Sequence, residues 1–164
     1  MNADKEYLQY VDDLIQHPEV LKLKEIKHHV FSNRYSHSVQ VSYISYRTAK
    51  RMGFSEDSIR SIARGALLHD LFHDTREEIE RLGTGSHNYV HPQIALENAL
   101  EITDLCEVER DIISKHMFLC TSLKVYPKYK ESLLVSLADK WVAILDVVPP
   151  VKRLSKNMMV NIAY

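Results

Sequence analysis

The chain has 164 residues, 45% of them hydrophobic and 26% charged, with a formal net charge of −1, which suits one globular domain with a real core. Near-neutral charge excludes general electrostatic attraction to nucleic acid or an anionic membrane. No apolar run reaches the roughly 18 residues of a membrane span, and two cysteines, Cys106 and Cys120, both in apolar contexts, make no disulfide framework.

Helical spacing then runs along the whole chain. Residues 4–16 put Tyr7, Val11, Leu14 and Ile15 on one face before the break at His17-Pro18, and a short helix around 19–27 follows. Ser36 is read as the cap of SHSVQVSYISYRTAKRMG, a helix ending at Gly53. Ser55 opens SEDSIRSIARGALLHDLFHD, with Asp57 near the positive end of the helix dipole and Ile59, Ile62, Ala63, Ala66 and Leu67 as the buried stripe. TREEIERLGTGSHNYV is polar with two glycines and reads as a loop holding one helical turn. HPQIALENALEI forms a helix after His91-Pro92, and residues 104–117 form another, with Asp104 and Glu107 as a capping box. TSLKVYPKYK is a loop, and KESLLVSLADKWVAILDVV is a long apolar helix stopped by Pro149-Pro150. No repeat or low-complexity segment interrupts the pattern. The expectation is one all-α domain over residues 1–164. The N-terminus is too acidic and amphipathic for a signal peptide, so the expected location is cytoplasmic.

Nine histidines are many for this length, and several titratable groups interrupt apolar stretches. The segment LLHDLFHDT, residues 67–75, carries His69-Asp70 and His73-Asp74; His37 opens a helix and His116 ends one. Asp139 lies inside LLVSLADKWVAIL, where a lone buried carboxylate costs several kcal/mol unless a cation or hydrogen-bond network compensates. Imidazoles and carboxylates together suit first-row divalent ions such as Mn, Fe, Co, Ni or Zn. Neighbouring helical residues stand about 100° apart, so His69 and Asp70 share an ion only near a helix end or at the rim of a site. His69 and His73 also have the i, i+4 spacing of helical zinc pairs. His87 lies four residues before His91 and shares its face if that helix starts early. Arg34, in KHHVFSNRYSH with His28 and His29, and Lys140 beside Asp139 are candidates to meet an anionic substrate. Tyr35, Tyr43 and Tyr46 read as packing rather than base stacking, and neither cysteine has the surroundings of a nucleophile.

The ordered set His37, His69-Asp70 and Asp139, in the contexts RYSHSVQVS, ARGALLHDL and VSLADKW, resembles the H…HD…D signature of the HD superfamily of metal-dependent phosphohydrolases over roughly residues 28–146. His91-Pro92 and His116 extend the resemblance to members that bind two metals, the HD-GYP-like subgroup, although the GYP tripeptide is absent and with it any support for cyclic di-GMP hydrolysis. The resemblance implies a helical bundle of HD type. It also implies that His37, His69, Asp70 and Asp139 hold a first ion, and that Asp70 bridges to a second completed by His91 and His116. LLHDLFHDT is similar as well to the HDxxED segment of (p)ppGpp hydrolases, with His73 replacing the Glu and Asp74 matching; ADKWVA after the last Asp departs from that subgroup. The implied activity is hydrolysis of a nucleotide or other small phosphate ester by metal-activated water, with Asp70, His73 and Asp74 as the catalytic candidates. Some HD proteins with the same six ligands bind two irons and oxidise a carbon substrate. A regulatory module that keeps its metal without catalysis is the other alternative. The expected partner is a small phosphate compound, not nucleic acid or membrane.

Overall fold

The computed structural model describes residues 2–27, 32–81, 86–121 and 125–147. Its elements are α1 (Asn2–Ile15), α2 (Pro18–Lys22) with a 3-10 turn (Leu23–Glu25), α3 (Arg34–Arg51), α4 (Glu56–Leu68), α5 (Arg76–Arg81), α6 (His87–Ile102), α7 (Glu107–Lys115) and α8 (Lys130–Val147). Among the described residues there is no strand, only an isolated bridge between Lys27 and Asn33. The all-α expectation therefore holds, and no described helix is long and apolar enough to cross a membrane.

Four local expectations shift by a few residues, each for a visible reason. Asn33, not Ser36, caps α3: its side chain accepts from the Ser36 N–H at 2.8 Å, and Ser36 Oγ accepts from the Asn33 N–H at 3.2 Å. Helix α6 starts at His87, ahead of Pro92, which it tolerates in its second turn although proline has no N–H for the Asn88 carbonyl. Cys106 rather than Asp104 stands at the head of α7, and Glu109 Oε2 accepts the Cys106 N–H at 2.9 Å. Both cysteines are free and exposed. The largest shift is at α4, which stops at Leu68, so His69 and His73 are not i, i+4 neighbours on a helix. Gly53 ends α3 as expected, with φ +72°, a conformation that disfavours a β-carbon.

Helix α4 is the centre of the packing, with α3, α7 and α1 around it and α8 closing over α3 and α7. Ile62, Ala63, Ala66 and Leu67 of α4 are fully buried, together with Val41 and Tyr46 of α3, Ile112 and Ile113 of α7 and Val142 of α8. Each large apolar side chain so removed from water contributes about 1.5–3 kcal/mol. At Gly65 a β-carbon would meet Ile112 at 3.0 Å, so glycine permits the close approach of α4 and α7. Tyr7, Tyr43 and Tyr46 pack against one another with centroids 5.2–6.2 Å apart, as the packing interpretation expects. The Tyr7 hydroxyl donates to Ser42 Oγ at 2.9 Å, and Ser42 donates onward to the Ala63 carbonyl at 2.7 Å.

Candidate metal centre

The end of α4 delivers the first candidate ligands. His69 terminates that helix, and the chain turns at once, with the Leu71 N–H bonded to the Leu68 carbonyl and the Phe72 N–H to the Asp70 carbonyl. The turn lets His69 and Asp70 point at the same space, which a continuing helix would forbid. His116 terminates α7 in the same way. The negative ends of two helix dipoles therefore meet here, which favours a cation. His37 comes from the first turns of α3, His91 from α6 and Asp139 from the middle of α8. All six side chains are buried.

Each half of the cluster is drawn together by short approaches. His37 Nε2 is 3.0 Å from Asp139 Oδ1, and His69 Nε2 is 3.6 Å from the same oxygen. Asp70 turns Oδ2 toward His69 Nε2 at 3.7 Å and Oδ1 toward His91 and His116 Nε2 at 3.4 and 3.5 Å. The two Nε2 atoms of His91 and His116 face each other at 2.9 Å. Metal–nitrogen bonds of about 2.1 Å set neighbouring ligand atoms about 3.0 Å apart at right angles and about 3.4 Å apart at tetrahedral angles. The observed separations of 2.9–3.7 Å lie close to those values, and His37–His69–Asp70 and Asp70–His91–His116 are each placed so that they could hold an ion.

Tautomers follow from the opposite ring nitrogens. His69, His91 and His116 donate Nδ1–H to the carbonyls of Ala66, His87 and Ile113 at 2.7, 2.8 and 2.8 Å. In His91 and His116, rings that burial keeps neutral, the Nε2 atoms therefore carry lone pairs aimed inward, while Nε2 of His69 faces Asp70 and Asp139. Burial, together with the neighbouring imidazoles of His69 and His91, pushes His116 down to about 3, and burial also lowers His91. At His37 burial opposes charge too, but hydrogen bonds to Asp139 and Asp146 overcome it and raise the ring to about 9. His69 is raised against its burial by Asp70 and Asp139. Asp139, despite burial, is held well below the ordinary carboxylate range by His37 and His69.

A cavity of about 590 Å³ opens over the cluster, lined by Asp70, His91, His116 and Asp139 and by the cations Lys27, Arg34, Arg76 and Lys140. That volume suits a small-molecule ligand. Arg34 is buried with its guanidinium over the Phe72 ring, 3.5 Å from the centroid, and it donates to the carbonyls of Phe72 and, at 3.5 Å, Asp74. Its Nε, also buried, has no hydrogen-bond partner. Lys140 donates to the His116 carbonyl at 2.7 Å and lies 3.6 Å from Asp139 Oδ2. His73 lines the cavity while its Nε2 meets the Glu19 carbonyl at 3.1 Å, away from the metal-ligand cluster; Asp74 is half-buried outside the cavity wall. His87 does share the face of His91, stacked on it at 4.6 Å. His28 and His29 lie outside the described residues. Asp146 was not among the sequence candidates. It sits two turns beyond Asp139 on the same apolar helix, buried, with Oδ2 3.4 Å from His37 Nδ1, and that seven-residue spacing is the signal that marks it.

Residues 34–144 match the HD domain, about two thirds of the chain, and the protein belongs to that family. The HD domain is the fold of a superfamily of metal-dependent hydrolases. No curated protein matches the chain.

Proposed function

We propose that the protein is a metal-dependent phosphohydrolase acting on a nucleotide or another small phosphate ester. The observation that carries this is the pair of inward lone pairs on His91 and His116, 2.9 Å apart beside Asp70 Oδ1. Two neutral imine nitrogens repel at that distance, and a divalent cation relieves them. His37, His69, Asp70 and Asp139 would hold one ion; Asp70, His91 and His116 would hold a second, drawn from Mn, Fe, Co, Ni or Zn. When bound, such ions lower the pKa of a water and draw charge from phosphoryl oxygens.

The chain's own part is placement and charge. Arg34 and Lys140 line the cavity with the cluster's carboxylates, and Lys27 and Arg76 add positive charge there, with Glu25 the one acid among the lining residues besides Asp70 and Asp139. That balance attracts a polyanion and disfavours neutral substrates. Arg34 also ties the segment after His69-Asp70 to the start of α3 through the Phe72 and Asp74 carbonyls, while Asn98 Nδ2 holds the Leu71 carbonyl at 2.9 Å. Proton exchange with bulk water falls to His73, about one third exposed at the cavity wall, rather than to Asp74 outside it.

The test loads stripped protein separately with Mn, Fe, Co, Ni and Zn and measures phosphate release from nucleotides and phosphate esters. Turnover with at least one metal is expected, and Asp70→Ala should reduce it about 10³-fold, the scale of removing a principal electrostatic group. Two bound ions without turnover on any substrate would overturn the proposal. Oxygen uptake by the iron form without phosphate release would replace it with oxidation chemistry.

A further inference from the structure

Four imidazoles ring the cluster, and three of them are oriented from within their own helix. His69 and His116 use a carbonyl three residues back, and His91 uses one four residues back. His37 differs. It sits in the first turns of α3, where the Asn33 carbonyl already accepts the His37 N–H at 3.1 Å. Its Nδ1 instead faces Asp146 Oδ2 at 3.4 Å, a carboxylate reaching across from α8, 109 residues away in sequence. Asp146 is 4% exposed, and its Oδ2 also accepts from Ser32 Oγ at 3.0 Å. Two turns earlier on the same helix Asp139 Oδ1 meets the other nitrogen of the same ring. Helix α8 therefore holds both edges of His37.

We infer that Asp146 is the positioning residue of the first ion's site: it takes the Nδ1–H of His37, fixes the tautomer that leaves Nε2 facing Asp139, and adds a fixed negative charge behind that ligand. A carboxylate behind a ligating imidazole raises its basicity and holds its plane more strongly than a neutral carbonyl does. The two halves of the cluster then differ in kind. The His37 half is backed by a full charge, and the His91–His116 half by main-chain dipoles alone. Ser32 steers the Asp146 carboxylate in turn. This inference rests on the cluster being a metal centre.

The full chain, stripped of metal, is titrated with Co2+ while the cobalt absorption bands and free cobalt are followed, for the wild type, Asp146→Asn and Ser32→Ala. Thermal unfolding of each metal-free protein, followed at the single tryptophan, Trp141, shows that the variants fold. In Asp146→Asn the first ion should bind about 10–100-fold more weakly, with an altered cobalt spectrum and the second ion's intrinsic affinity unchanged. Ser32→Ala should move the same ion in the same direction by less. Unchanged affinities and spectrum in both folded variants, or equal weakening of both ions, would overturn the role of Asp146 and leave the metal centre standing. A wild type that binds less than one cobalt per chain would overturn the metal centre itself.

Discussion

Helix α4 carries two buried polar clusters five residues apart, and they solve the same problem differently. Around Arg64 the charge is closed. Its guanidinium reaches Asp13 at 2.7 Å, Glu109 at 3.4 Å and Thr103 Oγ1 at 3.1 Å, and it also donates to the Tyr10 carbonyl. That cluster staples α1, α4 and the head of α7 with a cation of its own. Around His69-Asp70 acids and bare imine nitrogens converge instead, and Lys140 stands only at the cavity side. A structural cluster contains its counter-charge; a binding cluster leaves room for one to arrive. Burial alone does not separate the two, since Arg64 and Glu109 are as well covered as His69 and Asp70.

Substitutions at the two clusters should have opposite signatures. Asp70→Ala should abolish hydrolysis, about 10³-fold or roughly 4 kcal/mol of transition-state stabilisation. It should leave the unfolding midpoint of the metal-free protein unchanged or raised, as relief at a functional site does. Arg64→Met should do the reverse: about 3 kcal/mol or more lost in urea unfolding, because Glu109 is left buried without its cation, with metal stoichiometry intact. If Arg64→Met also emptied the metal site, the two clusters would be one unit.

Smaller effects sharpen the contrast. A divalent ion at one hundred times its dissociation constant should stabilise the wild type by about 2.7 kcal/mol, and a chelator should remove that gain. The same treatment should move Arg64→Met by the same increment and Asp70→Ala hardly at all. Tyr7 supplies the third kind of buried polar group, neutral and satisfied by one hydroxyl. Burial raises its phenol far above the usual value near 10. The folded state then holds the proton more tightly than the unfolded one, so stability is complete below pH 10 and falls above it, by up to about 1.4 kcal/mol per pH unit. Tyr7→Phe should cost about 1 kcal/mol at pH 7 and flatten that alkaline slope. An unchanged slope would show that Tyr7 does not control it.

Part of the candidate cluster was legible because its members break a local rule. Asp139 is a carboxylate in an apolar helix, and His69-Asp70 end an apolar run; a sequence met for the first time displays both. Their order along the chain then matched the HD pattern, and the fold brings all six together. Helix ends were less legible. The stop at Leu68 depends on the Asp70 and Leu68 carbonyls bonding the turn that follows, and no residue in LLHDL forbids a further turn of helix. Asp146 was missed for another reason. Its seven-residue spacing from Asp139 is the one mark the sequence carries, and the packing of α3 on α8 shows that it is buried against His37. Arg34 stood out in the sequence as a candidate to meet an anionic substrate, but its burial over Phe72 did not, because that contact joins segments 38 residues apart.

Metal content decides the central claim most directly. Wild type, His116→Ala and Arg64→Met are stripped, reloaded with excess Co2+, freed of unbound metal and measured by elemental analysis. The clusters described here predict about two ions per chain in the wild type, about one in His116→Ala, and the wild-type number in Arg64→Met. Less than one ion per chain in the wild type, or equal occupancy of wild type and His116→Ala, would contradict the metal centre.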